Sequence, residues 1–296
     1  MKIFVTGVGG QLGYDVVSVL TKNNHTVIGS DLPETLDINC EYVQLDITDE
    51  KAVHHIIDSI KPDAVIHCAA WTAVDAAEDD ENIRKVFDVN ETATRYIASA
   101  CKKNNCKMLY ISTDYVFGCL TDIPLEEDCK DFSPLNIYGK SKLAGEKAVE
   151  EILEEFFIVR ISWVFGKNGN NFVKTMLKLS EKYKSLRVVC DQIGSPTYTA
   201  DLSVLIADMI ESEKYGYYHA TNEGDYISWY DFACEIFRQA DIEIDITPVT
   251  TEEYGTTKAT RPKNSRLSKE KLTDSGFNPL PHWKDALKRY LIELNK

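Results

Sequence analysis

Residues 2–13, KIFVTGVGGQLG, constrain this chain more than any other stretch. Ile3, Phe4 and Val5 are an apolar, β-forming run that predicts a short buried strand over Lys2 to Thr6. Gly7, Gly10 and Gly13 follow, and from Gln11 onward Leu12, Val16, Val17 and Leu20 recur at helical spacing. A strand that ends in a glycine-rich turn and opens a helix is the cradle of a dinucleotide. The glycines let the backbone turn tightly and approach a pyrophosphate, which rests on the positive end of the helix. A glycine string alone is a common turn; its place directly after a strand gives it the cofactor reading.

Strand and helix signals alternate from there. TVIGSD at 26–31 reads as a second strand ending in Asp31, where an acid can accept hydrogen bonds from an adenosine ribose. No Arg follows at once to receive a 2′-phosphate, which favours NAD without excluding NADP. YVQLD at 42–46 is a third strand, with a helix over about 49–60. AVIHCAA is a fourth strand, whose small Ala69 and Ala70 leave room for a cofactor. A long helical pattern over about 81–104 includes Asn90. KMLYIS is a fifth strand running into Ser112, Thr113 and Asp114, and FIVRISWVFG at 157–166 is a sixth. This alternation predicts an α/β fold, a doubly wound parallel Rossmann-like sheet with right-handed crossovers.

After residue 166 the rhythm changes. Helices are expected at 171–183, 200–211, 228–240 and from 283, with strands at 217–221 and 244–249. The expectation is a cofactor-binding domain over 1–165 and a smaller, interleaved α/β substrate lid mainly over 166–296, with 217–221 returning to the first.

The net charge of -14 argues against nucleic acid or an anionic membrane as partner, while leaving room for a small anion held by a few cations. No apolar run approaches the roughly 18 residues of a membrane span. Eight scattered cysteines without paired spacing, and no leader before the first strand, read as free thiols in a cytoplasmic protein.

Tyr138 and Lys142 lie four apart in NIYGKSKLAGEKAVEE, on one face of a predicted helix. An ammonium beside a phenol favours the phenolate and lowers its pKa toward working pH. Tyr254 and Lys258 have the same spacing, but only Tyr138 follows five strand–helix units and a strand ending in Ser-Thr. Thr113 supplies a hydroxyl that can polarise a carbonyl. His67, on an apolar strand, reads as a satisfied buried histidine, and the acidic run AEDDEN at 77–82 as a solvated helix start. No His/Cys/Asp cluster has catalytic-metal spacing. Arg261 and Lys263 flank Pro262 in a polar loop, either a solvated turn or a clamp on a diphosphate.

These motifs, in this order, resemble an extended short-chain dehydrogenase/reductase. STDYVFG at 112–118, SPLNIYGKSKLAGE at 133–146, VRISWVFG at 159–166, DQIGSPTYTADL at 191–202 and RPKNSRLS at 261–268 narrow the resemblance to the dTDP-4-dehydrorhamnose reductase family. The resemblance implies reduction of a 4-keto nucleotide sugar by NADH or NADPH, in a monomer or homodimer. Tyr138 would be the proton donor, Lys142 would position the ribose and Thr113 would assist. Gly10, Gln11, Leu12, Asp31, Asp46, Ile47, Ala69, Ala70 and Trp71 match cofactor-lining positions, and Thr113, Asp114 and Trp163 match positions facing the sugar. Some members hold Mg²⁺ between subunits through acidic residues, so the resemblance leaves Mg²⁺ possible here without locating its ligands in this sequence. A nucleotide-sugar epimerase or dehydratase is the competing enzyme reading; Tyr115 after Asp114, in place of a second acid, weighs against a dehydratase. A non-catalytic regulatory subunit, like that of methionine adenosyltransferase, is the reading from another class, and the intact Thr113, Tyr138 and Lys142 oppose it.

Overall fold

The computed structural model describes residues 1–118, 121–255 and 257–295. The elements are β1 (Lys2–Thr6), α1 (Gln11–Lys22), β2 (Thr26–Asp31), β3 (Glu41–Gln44), α2 (Glu50–Ile60), β4 (Ala64–His67), α3 (Asp80–Phe87), α4 (Ala93–Asn104), β5 (Lys107–Thr113), α5 (Ile137–Ile152) and β6 (Phe156–Ile161). The second half adds β7 (Val164–Phe165), α6 (Phe172–Ser180), β8 (Ser185–Val189), β9 (Ile193–Gly194), β10 (Thr197–Tyr198), α7 (Thr199–Glu211) and β11 (Gly216–His219). It ends with β12 (Ile227–Ser228), α8 (Trp229–Ala240), β13 (Asp245–Val249), α9 (Thr251–Tyr254), β14 (Asn264–Ser265), α10 (Glu270–Asp274) and α11 (Trp283–Leu294).

The main sheet has the order β11-β6-β5-β4-β1-β2-β3, and every pairing in it is parallel. A parallel sheet needs both faces covered, and β1 shows how the sequence provides for that. Ile3 and Val5 face the core shared with α1 and α7, while Phe4 faces the core under α2 and α4. All three are fully buried, each contributing about 1.5–3 kcal/mol of apolar burial. The strand order reverses between β1 and β4, so a crevice opens beyond their carboxyl ends.

The second half builds a separate core around Phe165, Phe232, Trp283 and Tyr290. Small sheets support it: β8 with β13, β7 with β10, and β9 between β12 and β14. Two of its segments return to the first half: β11 forms the edge of the main sheet, and α7 packs along α1.

The structure departs locally from the pattern-based reading. The expected strand 157–166 is broken, because Trp163 adopts a left-handed φ of 49° between β6 and β7. The expected helix 81–104 carries a π-helical turn at Asp88–Thr92, which separates α3 from α4. Among the described residues no helix is long and apolar enough to cross a membrane. The seven described cysteines are unpaired; Cys119 lies outside the described residues.

Candidate active site

A cleft of about 910 Å³ occupies the crevice at the sheet's switch point. Gly7, Gly10, Gln11, Leu12 and Gly13 line it together with Ala69 and Ala70 and with Asp31, Asp46 and Ile47. Gly7 has φ 72°, and a Cβ there would come within 2.5 Å of the Ala69 nitrogen. The turn therefore needs glycine for both its conformation and its close approach to the β4 end. The first turn of α1 starts at Gly10 with no side-chain cap, so its N–H groups remain available to an anion. Ser30 and Ser112 line the cleft with buried hydroxyl oxygens that find no partner among the described residues. Free donors at a helix start, small residues at the end of β4 and an acid closing β2 fit a dinucleotide.

Tyr138, Lys142, Thr113 and Asp114 line the same cleft. Thr113 ends β5; its hydroxyl donates to Asp114 Oδ1 at 3.1 Å and accepts from the Tyr115 N–H at 3.3 Å. Tyr138 sits in the first turn of α5, which Asn136 caps by accepting from the Gly139 N–H at 2.8 Å. Glu78 accepts from the Ile137 N–H at 2.6 Å. Gly139 lies against the Tyr115 carbonyl with no room for a Cβ, so the turn bearing Tyr138 abuts the one after Thr113.

Electrostatics correct one expectation. Lys142 Nζ donates to the Ile111 carbonyl at 2.7 Å and stands 4.0 Å above the Tyr110 ring. Burial pushes its pKa down to about 7, against the pull of Glu146. Tyr138 is pushed up to about 12 by burial, with the Thr113 hydrogen bond acting the other way. Lys142 is desolvated and engaged with a backbone carbonyl, and the groups that shift the Tyr138 phenol are burial, Thr113 and Asp114. Asp114, likewise buried, is pushed up to about 6 despite hydrogen bonds from Ser265 and Thr113.

Trp163 lines the cleft and stacks on Trp229 with ring centroids 3.7 Å apart, and Phe172 tilts against Trp229 at 4.5 Å. The broken strand turns the indole into the crevice, at a cost of about 1 kcal/mol for a non-glycine left-handed residue. Arg261 also lines the cleft, but both its terminal nitrogens are engaged by the Asp75 carboxylate, the shorter contact being 2.5 Å. That pairing holds Asp75 below the usual carboxylate range. Lys263 pairs with Asp191 at 3.1 Å. The acidic run is not simply solvated: beside Glu78, Asp79 pairs with Lys258 at 2.5 Å. Trp71 is absent from the cleft lining. Its backbone is held by Asn90, which accepts from the Trp71 N–H at 2.8 Å and donates to its carbonyl at 3.2 Å.

His67 is buried between the Thr6 hydroxyl at 2.7 Å and the Thr94 hydroxyl at 3.1 Å. Burial drives its pKa down to about 3, so it is a neutral structural link. Pattern reasoning passed over the role of Asn90, which also donates to Ser141 Oγ at 2.9 Å, while Ser141 donates to the Tyr138 carbonyl at 2.8 Å. One amide thus joins the β4 loop to the helix of Tyr138. A polar residue at a buried helical position was the available signal. Trp229 and Phe172 had none, since aromatics at helical spacing read as core. No group of three or more His, Cys, Asp and Glu that could hold a metal occurs among the described residues.

The family model of the RmlD substrate binding domain matches residues 1–296. The chain belongs to this family. The spore coat polysaccharide biosynthesis protein SpsK of Bacillus subtilis is 40% identical over 292 residues, 99% of this chain and 97% of that protein. The dTDP-4-dehydrorhamnose reductase of Aggregatibacter actinomycetemcomitans is 39% identical over 301 residues, 97% of each chain. The crystal structure of the dTDP-4-dehydrorhamnose reductase of Bacillus anthracis in complex with NADP superposes with TM-score 0.89 at 40% identity, covering 99% of each chain. RmlD-family membership accounts for the doubly wound sheet and the full-length extent of the match.

Proposed function

We propose that this chain reduces the 4-keto group of dTDP-4-dehydro-β-L-rhamnose to give dTDP-L-rhamnose, using a reduced nicotinamide dinucleotide, in deoxysugar biosynthesis. The observation that carries the reading is the convergence of Thr113, Tyr138 and Lys142 in the cleft that also holds the glycine cradle. A bound NAD(P)H supplies the hydride. Tyr138 gives its phenolic proton to the oxygen at carbon 4, so the ketone becomes an alcohol without a free alkoxide. Thr113 holds the phenol, and Lys142, released from the Ile111 carbonyl, binds the ribose and supports the phenolate that Tyr138 becomes. Gly7, Gly10, Gln11, Leu12, Gly13, Asp31, Asp46, Ile47, Ala69 and Ala70 cradle the cofactor, with Trp71 bordering it through its loop. Asp114 and Trp163 face the sugar. Arg261 exchanges Asp75 for the substrate diphosphate, a bidentate acceptor of the same geometry.

Residues 1–165 hold the cofactor and 166–296 mainly the nucleotide sugar, in a cytoplasmic monomer or homodimer. The test is oxidation of NADH or NADPH, followed by absorbance, with enzymatically prepared dTDP-4-dehydro-L-rhamnose. Sugar-dependent oxidation is expected. Tyr138→Phe should lower it by about 10²–10⁴-fold with cofactor binding intact. Normal turnover by that variant would show that Tyr138 is not the acid.

A further inference from the structure

We propose that Tyr110 is a further positioning residue of this site, and that the face of its ring is the seat on which the Lys142 ammonium stays charged. The inference rests on the reductase reading, in which Lys142 holds the cofactor ribose.

Lys142 is 2% exposed, and its Nζ has one acceptor among the described residues, the Ile111 carbonyl at 2.7 Å. One neutral acceptor is poor compensation for a buried charge. Glu146, one turn further along α5, commits both carboxylate oxygens to Arg160 of β6, at 2.9 and 2.8 Å. Its charge favours the ammonium, yet burial still takes the Lys142 pKa down to about 7. The other titratable neighbours bring no compensating charge. Cys68 is pushed up to about 12 and His67 down to about 3, both by burial, so both are neutral. Tyr138, in the turn before Lys142, is pushed up to about 12 and is neutral too.

What remains is the ring of Tyr110, whose centroid lies 4.0 Å from Nζ. A π face attracts an ammonium and not the neutral amine, most strongly where water is excluded. Tyr110 is fully buried and fixed in place. Its hydroxyl donates to the Asn90 carbonyl at 3.2 Å, and α5 comes so close that a Cβ at Gly145 would lie 2.3 Å from that hydroxyl. Burial pushes its own phenol well up, so the ring carries no charge. Consecutive residues of β5 thus supply the π face and the carbonyl that hold the ammonium. When Nζ leaves the Ile111 carbonyl for the ribose, the ring is the partner it keeps.

The test is the pH dependence of cofactor binding, titrated without sugar by nicotinamide fluorescence between about pH 5.5 and 9. The probe is whichever of NADPH and NADH the native chain binds tighter, and the variants are Tyr110→Leu and Tyr110→Phe. Native affinity is expected to fall as Lys142 loses its proton, and Lys142→Met to abolish that fall. Tyr110→Leu should move the fall down by about one pH unit, weakening binding about tenfold above both values and leaving it unchanged below them. Tyr110→Phe keeps the ring and should titrate as the native chain does. A merely structural loss would weaken binding equally at every pH. An unmoved fall in a folded Tyr110→Leu, an equal move in Tyr110→Phe, or a native affinity that does not titrate overturns the inference. If Tyr110→Leu does not fold, trifluorophenylalanine at position 110 takes its place, because fluorine withdraws electron density from the π face and keeps the shape of the ring. The same downward move is then expected, and titration like that of Tyr110→Phe overturns the inference. Cofactor binding without sugar-dependent oxidation overturns the reductase reading alone. Failure of a folded native chain to bind either cofactor overturns both.

Discussion

Asp114 offers a stability test of the site that needs neither cofactor nor sugar. Its carboxyl is 3% exposed and pushed from 3.8 to about 6, chiefly by burial. The native chain therefore binds this proton more tightly than the unfolded chain does. Between those two values the native state holds more protons, so its stability falls as pH rises, and the loss is complete above about pH 6. Near pH 7.5 the cost is about 3 kcal/mol, and near pH 4.5 about 1 kcal/mol. Asp114→Asn keeps the shape and keeps an acceptor for the Thr113 hydroxyl. It should stabilise the chain by about 2 kcal/mol more near pH 7.5 than near pH 4.5, read from urea midpoints at constant m. Turnover should fall in the same variant, since a residue retained against its own folding cost is retained for the site. Equal effects at the two pH values, or destabilisation near pH 7.5, would refute the assignment of a desolvated, ionisable acid in the cleft.

Two further perturbations probe neighbouring parts of the structure. Arg261→Ala should raise KM for the nucleotide sugar about 10–100-fold with a smaller change in kcat, as expected for a group that binds the diphosphate and not the reacting carbon; an unchanged KM in steady-state kinetics would leave Arg261 a partner of Asp75 only. Glu146→Gln should destabilise by about 3–5 kcal/mol in urea denaturation, because it leaves the Arg160 guanidinium buried without its bidentate partner. A loss under about 1 kcal/mol would mean that the surrounding Phe117 and Tyr217 rings alone can hold the charge.

The parts of this molecule that were legible in its sequence are those where one short segment carries its own instructions. β1, the glycine turn and α1 are local: apolar strand, tight turn, helical spacing. Thr113, Tyr138 and Lys142 were legible because strand ends and an i, i+4 pair place side chains predictably. What stayed hidden depends on segments that meet only after folding. The partner of Arg261 is Asp75, 186 residues away in sequence. The Trp163–Trp229 stack joins the end of β6 to the start of α8. The state of Lys142 depends on how deeply α5 is buried against β5, where Gly145 leaves no room for a side chain between the helix and Tyr110. Spacing put Lys142 in the same cleft as Tyr138, whereas the burial that pushes its pKa down is not legible from spacing.

The same long-range contacts explain why the two halves of the chain interleave. Asn168 donates to the Gly9 carbonyl at 2.7 Å, and Asn171 donates to Gln11 Oε1 at 3.0 Å. The acceptors are the glycine turn and the first residue of α1, and both donors belong to the segment that enters the second core. Asn171 also donates to the Gly166 carbonyl at 2.9 Å and caps α6 by accepting from the Lys174 N–H at 3.1 Å. On the opposite rim, Asp75 and Asp79 take Arg261 and Lys258 from the loop before β14. The cleft is thus tied at the glycine turn by neutral, short-range hydrogen bonds and at the far rim by ion pairs on longer side chains. Neutral bonds to a rigid turn hold position, whereas partly exposed ion pairs contribute little net stability and can be exchanged for another anion. An arrangement of that kind fixes the glycine turn and leaves the rim pairs exchangeable, which suits the proposed exchange of Asp75 for a substrate diphosphate at Arg261.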